Sequence, residues 1–253
     1  MHGIPIIYSG NVPLFLSVCL EFIKQKRARY KWHVIKSYIA KNERVQKMKI
    51  ILASNSPRRR ELLKGLDIEY EVEVIKGIDE SYPDGMAVEE IPLYIAREKA
   101  AAYSVKHGEV LITADTVVTL DGEIMGKPSD ADDAKRMLHR LSGRTHHVIT
   151  GVCITANGCG ECCGSKSDEC HMPVDSFHQR AFAQTTAVTF RNLSDSEIDY
   201  YVEHYRPFDK AGSYGVQEWI GYMGVMRIDG SFYNVMGLPV DKVYEELKAL
   251  GAL

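Results

Sequence analysis

The chain has 253 residues, 45% hydrophobic and 26% charged, with a formal net charge of -3. This is enough apolar material for one substantial core, or for two lobes around a cleft. Residues 1–47 carry nine Lys/Arg against two acidic residues, about +7, so the remainder carries about -10 of the total of -3. An acidic body is a poor general binder of nucleic acid, which requires a dense basic face. It suits a protein that holds a polyanion in one small basic pocket, or through a metal.

The first 47 residues differ from the rest. The apolar run Val12–Ile23 is too short to span a bilayer and contains Glu21. Its basic residues Lys24, Lys26, Arg27 and Arg29 follow the run, whereas a signal peptide places them before it. The expectation is that Met48 is the true start and that residues 1–47 are upstream sequence. The alternatives are an amphipathic membrane-surface segment or a basic arm for nucleic acid.

From Lys49 onward, strand and helix patterns alternate, which predicts an α/β domain. A strand over 49–53 runs into Ser54-Asn-Ser-Pro-Arg-Arg-Arg60, and a helix follows. Ser56 stands at the N-cap and Pro57 at the first helical position, where a missing N–H costs nothing. The helix start, its dipole and Arg58 or Arg59 then converge on one spot, an anion site suited to phosphate. A capped helix with solvated arginines is the plainer alternative.

Further strands are predicted over 68–75, 109–120, 146–156 and 182–191, with more between 213 and 236. A helix is predicted from about 87 to 105. Ala134, Met137, Leu138 and Leu141 recur at helical spacing, as do Ile198, Tyr201, Val202 and Tyr205 behind a Ser194-Asp-Ser-Glu197 capping box. Val240, Val243, Tyr244 and Leu247 form a third stripe. All three read as core-facing. Residues 157–181 read as an enlarged hairpin loop. Of the six cysteines, Cys159, Cys162, Cys163 and Cys170 crowd into it, with Cys19 and Cys153 elsewhere. That clustering is unlike a secreted disulfide scaffold and points to a reducing, cytoplasmic setting. With His171 the cluster has zinc-ligand types, but only one CxxC unit is present, so a flexible loop stands as the alternative.

Ser-Asn-Ser-Pro-Arg-Arg-Arg-Glu-Leu-Leu, over residues 54–63, resembles the signature of the Maf family of nucleoside triphosphate pyrophosphatases. Further similar blocks follow in family order: Gly77-Ile-Asp-Glu-Ser81, Ala96-Arg-Glu-Lys-Ala100, Thr113-Ala-Asp-Thr-Val117, Gly126-Lys-Pro128, Leu141-Ser-Gly-Arg-Thr-His146, Asp209-Lys-Ala-Gly-Ser-Tyr-Gly-Val-Gln217 and Gly237-Leu-Pro239. Together they span roughly residues 49 to 250. The resemblance implies an elongated mixed β-sheet with surrounding helices and two lobes around an active-site cleft, similar to inosine triphosphatases. The domain would be residues 48–253.

It also implies an activity, the metal-dependent hydrolysis of dTTP and UTP, and of modified pyrimidine triphosphates, to the monophosphate and pyrophosphate. Asp115 would activate water, and Glu80 would help to hold Mg²⁺ or Mn²⁺ with it. Lys99 and Lys127 would neutralise phosphate charge, and Arg58, Ser54 and Ser56 would grip phosphate. Thr116 and Gln217 match the members that act on dTTP and UTP. An amide such as Gln217 can donate to a pyrimidine carbonyl and accept from its N3–H. Asp209 and Lys210 read either as site residues or as an ordinary ion pair beside a turn. The resemblance implies a homodimer, with neither nucleic acid nor membrane as partner. The competing class is a non-catalytic nucleotide-binding regulator of cell division, which would not need the complete acidic and basic set.

Overall fold

The computed structural model describes residues 48–158 and 177–253. The expectations for residues 1–47, and for Cys159, Cys162, Cys163, Cys170 and His171, lie outside the described residues. Among those described, seven strands form one mixed sheet: β1 Lys49–Leu52, β2 Glu71–Val72, β3 Glu109–Leu120, β4 Glu123–Met125, β5 Thr145–Asn157, β6 Phe177–Phe190 and β7 Val225–Asp229. Their spatial order is β2-β1-β3-β5-β6-β7, with β4 folded back on β3. β1 is parallel to β2 and β3, while β3, β5, β6 and β7 are antiparallel neighbour to neighbour. Parallel neighbours need crossovers, supplied by helix α1 (Pro57–Lys64) before β2 and helix α2 (Ile91–Ala101) before β3.

Strand alternation divides the core between the two faces of the sheet. Ile50, Leu52, Val110, Ile112, Val148 and Val152 join the larger cluster. They pack there with α1, α3 (Ala131–Leu141), α4 (Asp195–Tyr205) and α7 (Val240–Ala249). On the other face Ile51, Leu111 and Cys153, and then Val117 and Ile149, receive α2 through Ala96, Ala100, Ile91 and Ile95.

The helical stripes face inward as predicted: Ala134, Leu138 and Leu141, then Ile198, Tyr201 and Val202, then Val240, Val243 and Leu247 are buried. Tyr205 and Tyr244, at the edges of their stripes, remain exposed. At the start of α4 the Ser194 N–H donates to the Glu197 carboxylate at 2.8 Å. Hydrogen bonds from Arg191, and then from Ser194, hold that carboxyl down at a pKa of about 2.

The boundaries differ in five places. The helix predicted over 87–105 is confined to Ile91–Ala101. The strand predicted over 68–75 shrinks to Glu71–Val72, because both of its faces are exposed and nothing rewards its extension. The strands predicted between 213 and 236 are one strand, β7, flanked by two short helices, α5 (Trp219–Gly224) and α6 (Phe232–Met236). β4 had no prediction, although Asp121-Gly122, with φ of 54° and 79°, makes the tight hairpin turn that this dipeptide favours. In the loop expected at 157–181, β5 and β6 keep pairing as far as Asn157 with Phe177.

No helix among the described residues is long and apolar enough to cross a membrane.

Gly151 on β5 sits opposite Asp115 on β3. A Cβ there would lie 2.3 Å from the backbone of Pro92 and Leu93, so its absence sets how closely α2 lies on the sheet. Gly151→Ala is therefore expected to lower stability by about 1–3 kcal/mol, the usual cost of overpacking. A urea midpoint equal to that of the wild type would refute the close approach.

Candidate active site

The site begins as a gap in the sheet. β1 pairs with β3 only over Lys49–Leu52 against Glu109–Ile112, and β4 pairs only with Val118–Leu120. Along that edge, residues 113–117 have no strand partner. The Ala53 N–H makes a last bond to the Ile112 carbonyl at 2.9 Å, after which the chain turns into α1. The carboxyl end of a parallel strand, followed at once by a helix N-terminus, is where open α/β sheets hold anions.

The cap forms as the sequence predicts, with Ser56 Oγ accepting the Arg59 N–H at 3.4 Å. Ser54, buried beside it, accepts the Ser56 N–H at 3.2 Å. Both hydroxyl protons remain available to a ligand.

The two arginines then diverge. Arg58 Nη1 donates to Asp209 at 3.2 Å on the rim. Arg59 turns inward, where its Nε donates to the Gly237 carbonyl at 2.7 Å, Nη1 to the Ala114 carbonyl at 2.8 Å and Nη2 to Thr116 Oγ1 at 2.9 Å. Burial pulls the guanidinium's pKa down, and the charge of Asp115 works against that pull. Thr116 Oγ1 lies 3.0 Å from Thr150 Oγ1, and Thr150 donates onward to the Asn234 carbonyl at 3.1 Å. The Thr116 proton is therefore committed to Thr150, and its hydroxyl orients Arg59 while this chain of bonds is intact.

Asp115 stands in the strand gap and α2 brings Lys99 to it, with Nζ 2.7 Å from Asp115 Oδ1 and 3.0 Å from Glu80 Oε1. Lys99 and Asp115 are largely enclosed, at 14% and 15% side-chain exposure, while Glu80 is 56% exposed. Glu80 rides on an irregular segment held by Tyr103, whose hydroxyl accepts the Ile75 N–H at 2.9 Å and donates to the Glu73 carbonyl at 3.2 Å.

The opposite wall combines Lys127 with residues 209–217. The Gly212 N–H donates to the Gly126 carbonyl at 3.0 Å, which ties the two segments together. Lys127 is exposed and has no ion pair among the described residues. Asp209 and Lys210 form the ion pair left open above, at 2.7 Å, and both line the cleft. Burial would raise the pKa of Asp209, but Lys210, and then Arg58, hold it below the usual carboxylate range. Gln217 turns a buried amide oxygen inward that has no hydrogen-bond partner.

Ser54, Ser56, Arg58, Glu80, Lys99, Asp115, Thr116, Lys127 and Gln217 thus line a single cleft of about 550 Å³. Its matching family model, described as Maf-like protein, covers residues 49–250. The chain belongs to the Maf family. A dTTP/UTP pyrophosphatase of Phocaeicola vulgatus is 57% identical over 210 residues, 82% of this chain and 99% of that protein. One from Porphyromonas gingivalis is 53% identical over 213 residues, 83% of this chain and 98% of that protein. A solved nucleoside-triphosphatase / dITP/XTP pyrophosphatase of Mycobacterium abscessus is 15% identical, with a TM-score of 0.36 over 81% of this chain and 98% of that one. A likeness that slight adds nothing to the Maf assignment.

Two further cations of the cleft were not singled out in the sequence. Arg59 was one of two equivalent choices there, and only its distant acceptors distinguish it from Arg58. Lys76, exposed and without an ion pair among the described residues, also lines the cleft. No local signal marks it.

His146, from the Leu141–His146 block, is wholly buried behind the cleft, with Nε2 2.7 Å from the hydroxyl of Tyr214, a lining residue. Burial, and then the neighbouring His147, push its pKa down from 6.5 to about 3. As pH falls through that window the unfolded chain takes up a proton that the folded one refuses, so stability drops with pH. Melting temperatures from pH 7 to 4 should fall more steeply for the wild type than for His146→Gln. Parallel curves would show that His146 contributes nothing to the acid limb.

Proposed function

We propose that the chain hydrolyses nucleoside triphosphates, dTTP and UTP foremost, to the monophosphate and pyrophosphate. The named activity of relatives more than half identical to this chain supports the reaction. The observation that carries the reading is that Asp115, in the strand gap, shares one cleft with Arg58 and the hydroxyls of Ser54 and Ser56 at the start of α1. A base and a phosphate grip are thereby brought to the same substrate.

In the reaction, Asp115 accepts a proton from water as the water oxygen bonds to the α-phosphorus. The bond from that phosphorus to the α–β bridging oxygen breaks, and its electrons leave with pyrophosphate. Arg58, Lys99 and Lys127, with the Ser54 and Ser56 hydroxyls, meet the charge that accumulates on the phosphate oxygens. Lys99 also orients Asp115 by holding Oδ1, which leaves Oδ2 and further lone pairs free.

The donor set suits Mg²⁺ or Mn²⁺. Among the described residues no group of three or more His, Cys, Asp or Glu could enclose a metal. Asp115 and Glu80 supply two carboxylates, enough for an ion that keeps waters and takes its remaining oxygens from substrate phosphates. When bound, such an ion would supply charge neutralisation at the triphosphate.

At the base end, Gln217 lines the cleft, and its amide can accept from the N3–H of uracil or thymine through its oxygen and donate to a carbonyl through its nitrogen. Cytosine offers no N3–H, which provides the basis of discrimination. The homodimer implied by the resemblance belongs to the same proposal, and sedimentation of the purified chain tests it.

The deciding experiment is pyrophosphate release from UTP, dTTP, CTP, GTP and 7-methyl-GTP with Mg²⁺ or Mn²⁺. Release favouring UTP and dTTP is the expected result. Silence from a folded protein that still binds nucleotide would favour the regulator. Asp115→Asn should lower turnover by about two orders of magnitude or more with the fold intact, the scale of a lost general base. Retained turnover would remove Asp115 from that role.

A further inference from the structure

Gln217 is aimed by something other than itself. Its amide oxygen is buried without a partner, and its side chain makes no hydrogen bond among the described residues. Where the amide lies is therefore left to the turn that carries it and to packing at that turn, where Gln217 Nε2 and the Glu218 carboxyl both crowd Gly215. That turn is tight, closed by the Glu218 N–H donating to the Gly215 carbonyl at 3.0 Å.

The next side chain, Glu218, fixes the turn from both of its oxygens. Oε2 accepts the Tyr201 hydroxyl proton in a very short bond, and Oε1 accepts from Lys210 at 3.1 Å. The same Tyr201 oxygen accepts the Gly215 N–H at 3.0 Å, so one hydroxyl clamps the start and the end of the turn. Burial, and then the bond to Glu218, push the Tyr201 pKa up, so the phenol keeps its proton.

Packing closes the arrangement. A Cβ on Gly215 would lie 2.8 Å from the Glu218 carboxyl carbon and 3.1 Å from Gln217 Nε2. Only a residue without a side chain leaves room for the carboxylate and the amide together. Lys210, 8% exposed, passes the restraint on to Asp209 at 2.7 Å, and Asp209 meets Arg58 at 3.2 Å. A continuous line of charge-assisted bonds therefore joins the turn beneath Gln217 to the helix start at the phosphate end.

We propose that Glu218 is a positioning residue for base discrimination, holding Gln217 in register with the nucleobase through Tyr201 and Lys210. This rests on Gln217 being the base-reading residue of the proposed function. Glu218 does not touch the substrate. Its charge balances Lys210, and its geometry sets where the Gln217 amide points.

The test uses equilibrium binding by calorimetry, with the non-hydrolysable α,β-imido analogues of UTP and CTP as probes. Wild type, Glu218→Ala, Glu218→Gln and Tyr201→Phe are compared, with melting temperatures measured alongside. Glu218→Ala should cut the preference for the uridine analogue about tenfold, the order of one well-placed hydrogen bond, mainly by weakening uridine binding. Glu218→Gln keeps one oxygen acceptor for Lys210 and turns an N–H donor toward the Tyr201 oxygen, so the turn stays bridged and most of that preference should return. Tyr201→Phe should lose part of it, which keeps the question open to measurement if Glu218→Ala fails to fold. Equal weakening of both analogues, or an unchanged ratio, would overturn the positioning role. Wild type that discriminates in binding but releases no pyrophosphate from UTP would overturn the hydrolase reading and leave the positioning role standing.

Discussion

The half-buried guanidinium of Arg59 holds the site together. It has no carboxylate in direct contact among the described residues, and it donates instead to two backbone carbonyls and the Thr116 hydroxyl. A buried charge with no such partners would cost several kcal/mol, whereas hydrogen bonds to a charged group are worth about 1.5–3 kcal/mol each. Those bonds fix α1 against the open edge of β3 and against the turn after α6. Through Thr116, Thr150 and Asn234 the line continues to the Val148 carbonyl at 3.0 Å and Thr186 at 2.9 Å, and so into β5 and β6. The end of the cleft proposed to hold phosphate is thus built into the sheet. The neutral acceptors also leave the positive charge of Arg59 to be balanced at longer range, by Asp115, by Glu80 and by any anion in the cleft.

The remaining cations differ in how far they are already committed. Lys99 is shared between two carboxylates, as is Lys210, and Arg58 is held by Asp209. Lys127 and Lys76 stand unpaired among the described residues. The paired cations are fixed in place before any ligand arrives, which is the condition under which fixed charges stabilise developing charge without rearranging. The unpaired ones are exposed and can follow the ligand. A triphosphate would therefore meet oriented charge where the reaction needs geometry and adaptable charge at the rim.

What the sequence makes legible follows physical range. Continuous apolar runs in Lys49–Leu52 and Glu109–Leu120 reveal the sheet because strands covered on both faces are apolar throughout. Ser56 and Pro57 reveal the start of α1 because capping is local, and three helical stripes found their cores. The region 213–236 was not legible, because its short apolar runs, broken at Gly221 and Gly224, fit strand and helix equally well. Arg58 and Arg59 are neighbours with the same chemistry. What separates them is a carbonyl 178 residues away, which no local window contains. The gathering of the site residues in one cleft was likewise invisible to spacing, and it came from the order of blocks that resemble a family. Tyr201 is instructive in a different way: its stripe placed it correctly in the core, but the pattern is silent about its hydroxyl, which reaches Glu218.

The two walls of the cleft differ in how firmly they are held, and the difference fits a division of labour. One wall is made of β3, α1, the turn after α6 and residues 209–218. Arg59, Thr116, Thr150 and Asn234 on it are bonded into a network that crosses the sheet, and Lys210, Glu218 and Tyr201 into a second one, so moving any of them breaks several bonds at once. The other wall, around Val74–Glu80, is exposed and largely without regular structure, held by the Tyr103 hydroxyl and by Glu80 on Lys99. Segments with so few buried contacts open at low free-energy cost, well below that of the core. The amide proposed to read the base, that of Gln217, is carried on the rigid wall. Admission of a large, charged substrate needs an edge that can give way, and the strand gap beside β1 faces that edge. The carboxylate proposed to help hold the metal sits on the yielding side and the proposed base on the rigid one. Lys99 reaches across and joins them, so closure of the loose wall and orientation of Asp115 depend on the same ammonium group.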